Sequence, residues 1–200
     1  MFKALLERGL LLGRGRILDL GCGQGLLSAW LKAAQLCYEN GSWPQNWPPA
    51  PRPSSTRGIE LMTRDVERAR IALGPQCEVS QGDIRDAEFG STDAVVMLDV
   101  LHYISREEQL QVLKRVRAAL PARGLLLLRI GDASGGLRFR YGQWVDKTVM
   151  LLRGHRSVAT HCRSASQWGQ LLLACGFEVQ AAPMSQGTRF ANVLLIAHAS

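Results

Sequence analysis

The chain has 200 residues, 46% of them hydrophobic, and a formal net charge of +7 at pH 7. This length and composition suit one globular domain and exclude an intrinsically disordered chain. No apolar run is long enough to cross a membrane, and charged residues interrupt the N-terminal segment where an export signal needs an apolar core. We therefore expect a cytoplasmic, single-domain protein without a membrane segment.

The five cysteines form no C-x-x-C pair, which argues for reduced thiols and against a structural zinc site. The positive charge invites a nucleic-acid interpretation. The arginines are spread along the chain, however, and no lysine-rich tail or stripe of aromatic and basic residues accompanies them. Nucleic acid is therefore disfavoured as a partner, and no metal site is predicted.

Strand and helix patterns alternate along the first part of the chain. Residues 17–20 predict a short buried strand, and apolar residues repeat at helical spacing over 26–37. Segment 38–55 is rich in proline and carries two tryptophans, so it predicts an inserted surface loop. The next elements are a strand that ends in 58–60, a charged helix over 63–73 and a strand over 77–83.

The alternation continues to the C-terminus. Residues 93–99 and 125–130 are apolar enough for buried parallel strands. The remaining elements are a helix that starts at a Ser105–Glu108 capping box and ends before Pro121, a helix around 144–152, a helix from a Ser164–Gln167 capping box to Gly176, and antiparallel strands over 177–181 and 191–197.

These elements predict an α/β fold. We expect a Rossmann-like, doubly wound and mostly parallel seven-stranded sheet with an antiparallel edge strand. One domain should cover residues 1–200.

The most informative motif is the glycine-rich turn after the first strand. Asp19 lies near the end of that strand, and glycines follow at positions 21, 23 and 25. A dinucleotide-binding turn has the spacing G-x-G-x-x-G, which would place the third glycine where Leu26 stands. A carboxylate two residues before the first glycine would repel a pyrophosphate, but it suits a ligand with an ammonium group.

The turn resembles motif I of the class I S-adenosylmethionine-dependent methyltransferases, whose pattern is hhDhGxGxG with h for an apolar residue. The resemblance extends over residues 14–130 and implies S-adenosylmethionine as the cofactor. It implies that Gly21, Gly23 and Gly25 form the cofactor turn and that Asp19 lies near the methionine ammonium group.

Three further acids stand at predicted strand ends, at Glu60, Asp83 and Asp99. Ligands of open parallel sheets bind beyond the carboxyl ends of the strands. The resemblance implies that Glu60 binds both ribose hydroxyls, and that Asp83 binds the adenine amino group. Leu61 and Ile84 would then pack on the adenine ring.

Glu60 lies 35 positions after Gly25, whereas about 20 is usual between a glycine turn and its ribose acid. The 38–55 insertion accounts for the excess. Glu39 has the more usual spacing, but it follows a helix and no apolar strand holds it, so we favour Glu60. Because the insertion joins a helix end to a strand start, we expect it at the opposite face from the cofactor.

Methyl transfer from a sulfonium depends mostly on alignment and exclusion of water. The resemblance places Asp99 under the transferable methyl group, which makes Asp99 both a cofactor contact and a candidate catalytic residue. His102 is the candidate general base and Tyr103 a candidate substrate contact. The alternative is that His102 only shapes the pocket wall. The segment before the first strand is shorter than the usual lid of the family, so we expect closure over the substrate to be incomplete or built elsewhere.

Segment 131–163 carries six basic and two acidic residues. In the family, the stretch between the fifth strand and the final helix often helps to cover the substrate. Arg138, Arg140 and Arg156 are therefore candidate contacts to a small acidic or carrier-linked acceptor. The C-terminal segment also looks like small methyltransferases from bacterial aryl-polyene biosynthetic clusters.

Other enzyme classes fit less well. The glycine spacing disfavours a nicotinamide-dependent oxidoreductase. An adenine- or cytosine-amino methyltransferase would show an Asn/Asp-Pro-Pro-aromatic turn, which residues 98–101 lack. A metal-dependent catechol-type enzyme would need an Asp-Asn pair where Asp132 stands alone. An RNA methyltransferase and a non-catalytic cofactor-binding partner protein stay open as alternatives.

Overall fold

The computed structural model describes residues 1–74, 78–136, 160–184 and 191–200. The chain divides into two compact units. The first unit comprises Met1–Val96 and Ala119–Gly124, and the second comprises Met97–Ala118 and Leu125–Ser200.

The first unit alternates helices and strands, as the sequence predicts. Its elements are α1 (Phe2–Glu7), β1 (Arg16–Leu20), α2 (Leu26–Glu39), β2 (Ser55–Glu60), α3 (Thr63–Leu73), β3 (Glu78–Gln81) and the first part of β4 (Ala94–Leu98). Strand β1 pairs in parallel with both β2 and β4, and β2 pairs in parallel with β3. The charged helix α3 buries its small apolar face, which includes Val66 and Ala69.

The second unit begins at the end of β4. It contains a 3-10 turn (Leu101–Tyr103), α4 (Arg106–Ala119, the last residue of which belongs to the first unit), β5 (Leu125–Gly131), α5 (Ala165–Ala174), β6 (Phe177–Pro183) and β7 (Asn192–Ala199). Both predicted capping boxes form. Glu108 Oε2 accepts from the Ser105 N–H at 2.7 Å, and the Ser164 hydroxyl accepts from the Gln167 N–H at 3.2 Å.

The strands form one seven-stranded sheet in the order β3-β2-β1-β4-β5-β7-β6. Strand β7 is antiparallel to both β5 and β6. Residues 94–97 of β4 and 125–128 of β5 are at most 1% exposed, which explains their uninterrupted apolar sequences. The predicted α/β Rossmann-like sheet with an antiparallel pair at its edge is confirmed.

Several boundaries differ from the predicted ones. Helix α2 continues to Glu39 instead of ending near Cys37, and β3 ends at Gln81 before reaching Asp83. The short helix α1 precedes β1, where no element was predicted. The helix predicted around 144–152 lies outside the described residues. Within the described ranges, no helix is both long and apolar enough to cross a membrane.

The insertion packs beside the start of β1. The backbone N–H groups of Ser54 and Ser55 donate to the Gly15 carbonyl at 2.7 and 3.2 Å. The indole of Trp43 donates to the Pro48 carbonyl at 2.8 Å and meets the Trp47 ring edge-on at 5.4 Å. Gly15 directly precedes β1, whereas the glycine turn follows it. The end of the insertion is therefore held at the amino end of β1.

Candidate functional site

The glycine turn folds against the end of β2. All three motif glycines have positive φ angles, of 73° at Gly21, 55° at Gly23 and 75° at Gly25. The N–H groups of Gly21 and Cys22 both donate to the Ile59 carbonyl, at 2.8 and 3.2 Å. The conformation that turns the chain from β1 into α2 is therefore anchored on the strand that ends in Glu60.

Two of these glycines have different physical roles. A Cβ at Gly25 would lie 2.6 Å from Leu73 Cδ1 and 3.3 Å from Ala69 Cβ, so Gly25 lets α3 approach the turn closely. A Cβ at Gly23 would meet no described atom within 4 Å. The Gly23 backbone is thus accessible to a ligand lying along the turn.

Glu60 is tied to this open backbone. Its Oε2 accepts a hydrogen bond from the Gly23 N–H at 2.9 Å, and its Oε1 accepts from the Met62 N–H at 3.0 Å. Glu39 is different, since its side chain is 60% exposed and its nearest cation is Arg52 at 4.0 Å. The structure therefore brings Glu60, and not Glu39, to the glycine turn.

Asp19 is a buried acid in the same unit. Its residue is only 4% exposed. Burial, with a smaller contribution from the Glu60 charge, raises the pKa of Asp19 from 3.8 to about 7. A cation placed beside it would favour the ionised form. This arrangement suits a ligand with a positive charge and opposes a pyrophosphate.

Asp83 follows β3 and is paired within its own loop. Its Oδ2 accepts from Arg85 Nε at 2.9 Å and Nη2 at 2.6 Å, and the hydrogen bonds from Arg85 lower its pKa. A ligand amino group at Asp83 would share the carboxylate with Arg85, which two oxygens with four lone-pair positions permit. Of the two predicted ring contacts, Ile84 is buried and Leu61 is 55% exposed.

Asp99 lies in the second unit and has a positive φ of 59°. Aspartate is among the few residues that adopt this region with modest strain. Its carboxylate forms an ion pair with Arg129 of β5, and its N–H donates to the Arg129 carbonyl at 3.2 Å. Arg129 was not predicted from the sequence. Its signal was a lone cation near the end of an otherwise apolar strand.

His102 and Tyr103 share the 3-10 turn after β4, with ring centroids 4.0 Å apart. The Nε2 atom of His102 is buried, and no described residue hydrogen-bonds to it. Burial lowers the pKa of His102 from 6.5 to about 4. The imidazole is therefore neutral near pH 7 and can accept a hydrogen bond or a proton. The role of His102 as a base stays a prediction.

Asp132, the single acid after β5, has a structural role. Its Oδ1 accepts from the Ser134 N–H, the Ser134 hydroxyl and the Ala165 N–H at 2.7–3.0 Å. It thereby caps the first turn of α5. In the part of the chain that the structure describes, no cluster of three or more potential ligands could hold a metal ion.

The predicted substrate contacts Arg138, Arg140 and Arg156 lie outside the described residues. The two ends of segment 131–163 are described, and they meet. The Ala133 N–H donates to the Arg163 carbonyl at 3.3 Å, and the His161 N–H donates to the His102 carbonyl at 2.8 Å. The described ends of the segment are therefore in contact with each other, and residue 161 contacts the turn that carries His102.

Gln109 was likewise not predicted from the sequence. This α4 residue is 0% exposed, and its amide contacts carbonyls on both sides of His102 as well as the Arg163 side chain. The available signal was its position on the buried face of α4, which it shares with Val112, Leu113 and Val116. A polar residue on such a face needs hydrogen-bond partners.

Comparison with known proteins shows the family of the chain. A family model described as a methyltransferase domain matches residues 2–182. The carboxy-S-adenosyl-L-methionine synthase of Chromohalobacter salexigens is 29% identical over 133 residues, covering 64% of this chain and 44% of the relative. The phenazine O-methyltransferase PhzM of Lysobacter antibioticus is 24% identical over 169 residues, covering 82% and 43%. The chain thus spans less than half the length of these curated relatives.

Solved structures give the same fold. The magnesium protoporphyrin IX methyltransferase of Synechocystis PCC 6803, with bound SAH, superposes with a TM-score of 0.66 at 19% identity, covering 100% of this chain and 80% of that one. A SAM-dependent methyltransferase from Methanosarcina mazei gives 0.68 at 19% identity, covering 96% and 95%. Since the family model matches nearly the whole chain, this protein belongs to the methyltransferase domain family.

Proposed function

We propose that this domain transfers the methyl group of S-adenosylmethionine to a small acidic acceptor, either free or linked to a carrier. The observation that carries the proposal is the 2.9 Å hydrogen bond between Glu60 and the Gly23 N–H. It sets a carboxylate beside an open glycine backbone, where the ribose and methionine parts of the cofactor would bind.

The charge of the first unit favours this cofactor over a dinucleotide. Asp19 and Glu60 are close enough for the charge of Glu60 to raise the pKa of Asp19. Two neighbouring acids attract a ligand that carries ammonium and sulfonium charges and repel a pyrophosphate. Gly23 would lie along the methionine part, and Glu60 would accept hydrogen bonds from the ribose hydroxyls.

The cofactor supplies an activated methyl group on a positively charged sulfur when it is bound. The chain itself then has to align the acceptor and exclude water. We assign the alignment to the turn that carries His102 and Tyr103. If the acceptor atom keeps its proton, the neutral imidazole of His102 would be the base that accepts it.

The basic segment 131–163 supports an acidic acceptor. Its six basic residues outnumber its two acids, and its described ends meet beside His102. Arginine forks bind carboxylates and phosphates. The names of two related proteins refer to small molecules, phenazine and protoporphyrin. A membership in the aryl-polyene branch would fit this acceptor class.

A cytoplasmic location is part of the proposal. The four described cysteines are in no disulfide bond, as expected for a reducing compartment.

The positively charged segment also suits RNA, which makes an RNA methyltransferase the second candidate.

The proposal is tested by following labelled methyl groups from S-adenosylmethionine. Three acceptor pools would be offered separately: small aromatic and aliphatic carboxylic acids, the same acids loaded on an acyl carrier protein, and total RNA. We expect label in one of the acid pools, lost in Glu60→Ala and kept in the matched control Glu39→Ala. Label in RNA alone would contradict the acceptor class. Cofactor binding without label in any pool would favour a non-catalytic partner protein.

A further inference from the structure

We infer that Gln109 is a positioning residue, which holds the turn carrying His102 against residues 160–163. The inference rests on the proposed function, because it takes His102 to belong to the methyl-transfer site. Every contact that supports it lies within the second unit.

The Gln109 amide contacts both ends of the turn. Its Nε2 lies 3.1 Å from the Leu101 carbonyl and 3.2 Å from the Ile104 carbonyl. These two residues enclose His102 and Tyr103 in the chain. One buried amide therefore fixes the entry and the exit of the turn, which limits how its two rings can move.

The same amide reaches the end of the basic segment. Gln109 Nε2 lies 2.8 Å from the His161 carbonyl. The His161 N–H in turn donates to the His102 carbonyl at 2.8 Å. Residue 161 is thus held on both its backbone groups, once by α4 and once by the turn itself.

Arg163 fixes the orientation of the amide. Its Nε donates to Gln109 Oε1 at 2.8 Å, and its Nη2 donates to the Arg106 carbonyl at 3.2 Å. The guanidinium also lies over the Trp168 ring at 5.6 Å. A guanidinium can only donate, so the Gln109 oxygen must face Arg163 and its nitrogen must face the three carbonyls. A flipped amide would break the contacts with Arg163 and with the three carbonyls.

The positioning role of Gln109 can be distinguished experimentally from a general contribution to the stability of the core. Thr92 offers a matched control because it is also a buried polar residue, 3% exposed, and its hydroxyl lies 2.9 and 3.0 Å from the Arg16 and Ala94 carbonyls. Thr92→Val and Gln109→Met both remove hydrogen bonds from a buried site while keeping the approximate side-chain volume. Only Gln109→Met acts on the His102 turn.

The test follows the four histidines by NMR, using protein labelled with ¹³C at histidine Cε1. The His102 resonance is assigned from its loss in His102→Gln. In Gln109→Met we expect this resonance to shift and its titration midpoint to move up from about 4 toward the ordinary value, because the turn opens to water. Arg163→Met, which spares the Gln109 nitrogen contacts, should give a smaller shift in the same direction.

Thr92→Val should lower Tm and leave the His102 resonance where it is in the wild type. Affinity for S-adenosylhomocysteine, measured by calorimetry, should change less than about twofold in Gln109→Met. If Gln109→Met does not fold, Arg163→Met decides alone. An unmoved His102 resonance in the folded variant, or an equal movement in Thr92→Val, would overturn the positioning role. A chain that binds no adenosyl ligand would instead contradict the proposed function.

Discussion

The carboxylate of Glu60 and the backbone N–H of Gly23 are joined by a 2.9 Å hydrogen bond across 37 residues of sequence. The acid at the end of β2 therefore also orients the glycine turn after β1. A change at Glu60 should affect the ligand directly and through the turn.

Replacing Glu60 should weaken cofactor binding strongly. Each lost hydrogen bond to a charged group costs about 1.5–3 kcal/mol, and about 1.4 kcal/mol corresponds to a factor of ten. We expect Glu60→Ala to reduce the affinity for S-adenosylhomocysteine at least tenfold. Glu39→Ala, at the exposed end of α2, should change it little. Calorimetry that gave the reverse ranking would show that Glu39 is the ribose acid.

Cofactor binding should depend on pH through Asp19. With a pKa of about 7, this acid is mostly protonated at pH 6, and a cationic ligand binds the ionised form better. Binding should therefore release a proton, and affinity for S-adenosylmethionine should rise by up to about tenfold per pH unit as the pH increases toward 7. Asp19→Asn should remove this slope. An equal slope in both proteins would exclude Asp19 as its source.

Burial of His102 should appear in the pH dependence of stability. Its pKa is lowered from 6.5 to about 4, so the unfolded chain binds a proton that the folded chain does not. The contribution of the neutral, buried His102 to the free energy of unfolding is therefore complete above about pH 6.5 and is lost as the pH falls toward 4. Urea unfolding of the wild type and His102→Gln between pH 4 and 7 measures the difference. A constant difference across this range would mean that His102 is not buried in its neutral form.

A side chain at Gly58 of β2 should clash with the glycine turn. A Cβ there would lie 2.6 Å from Cys22 Sγ and 3.1 Å from Val79 Cγ2. Overpacking of this kind costs about 1–3 kcal/mol of unfolding free energy. We expect Gly58→Ala to destabilise the protein by such an amount, and Cys22→Ala to recover part of the loss in the double variant. Strictly additive effects in a double-mutant cycle would contradict direct packing of residues 22 and 58.

The basic segment should act on the acceptor rather than on RNA. Neutralising Arg138, Arg140 and Arg156 together should lower methylation of an acidic acceptor and leave cofactor affinity unchanged. An RNA interface would behave differently, since RNA affinity falls steeply with salt. Unchanged methylation of every acid, together with loss of a salt-sensitive RNA affinity, would favour the RNA methyltransferase.

The features that the sequence predicted depend mostly on short stretches of chain. The glycine turn, both capping boxes and the β2 position of Glu60 each follow from spacing over a few residues. The burial of β4 and β5 is also predictable from local sequence, because residues 94–97 and 125–128 are apolar without interruption.

The features that the sequence did not predict depend on contacts between distant residues. Arg129 meets Asp99 across 30 positions, and Arg163 meets Gln109 across 54. Such pairs are set by strand order and helix packing, which no local pattern specifies. Likewise, the role of Asp132 as a cap of α5 depends on its bond to the Ala165 N–H, 33 positions away.

If the glycine turn and Glu60 form an adenosyl site, calorimetry should detect binding of adenosyl ligands there. Wild-type protein would be titrated with S-adenosylhomocysteine, S-adenosylmethionine and NAD, with Glu60→Ala as the control. We predict saturable binding of both adenosyl ligands, at least tenfold weaker in Glu60→Ala, and no binding of NAD. Tight binding of NAD with no response to either adenosyl ligand would contradict this assignment of the site.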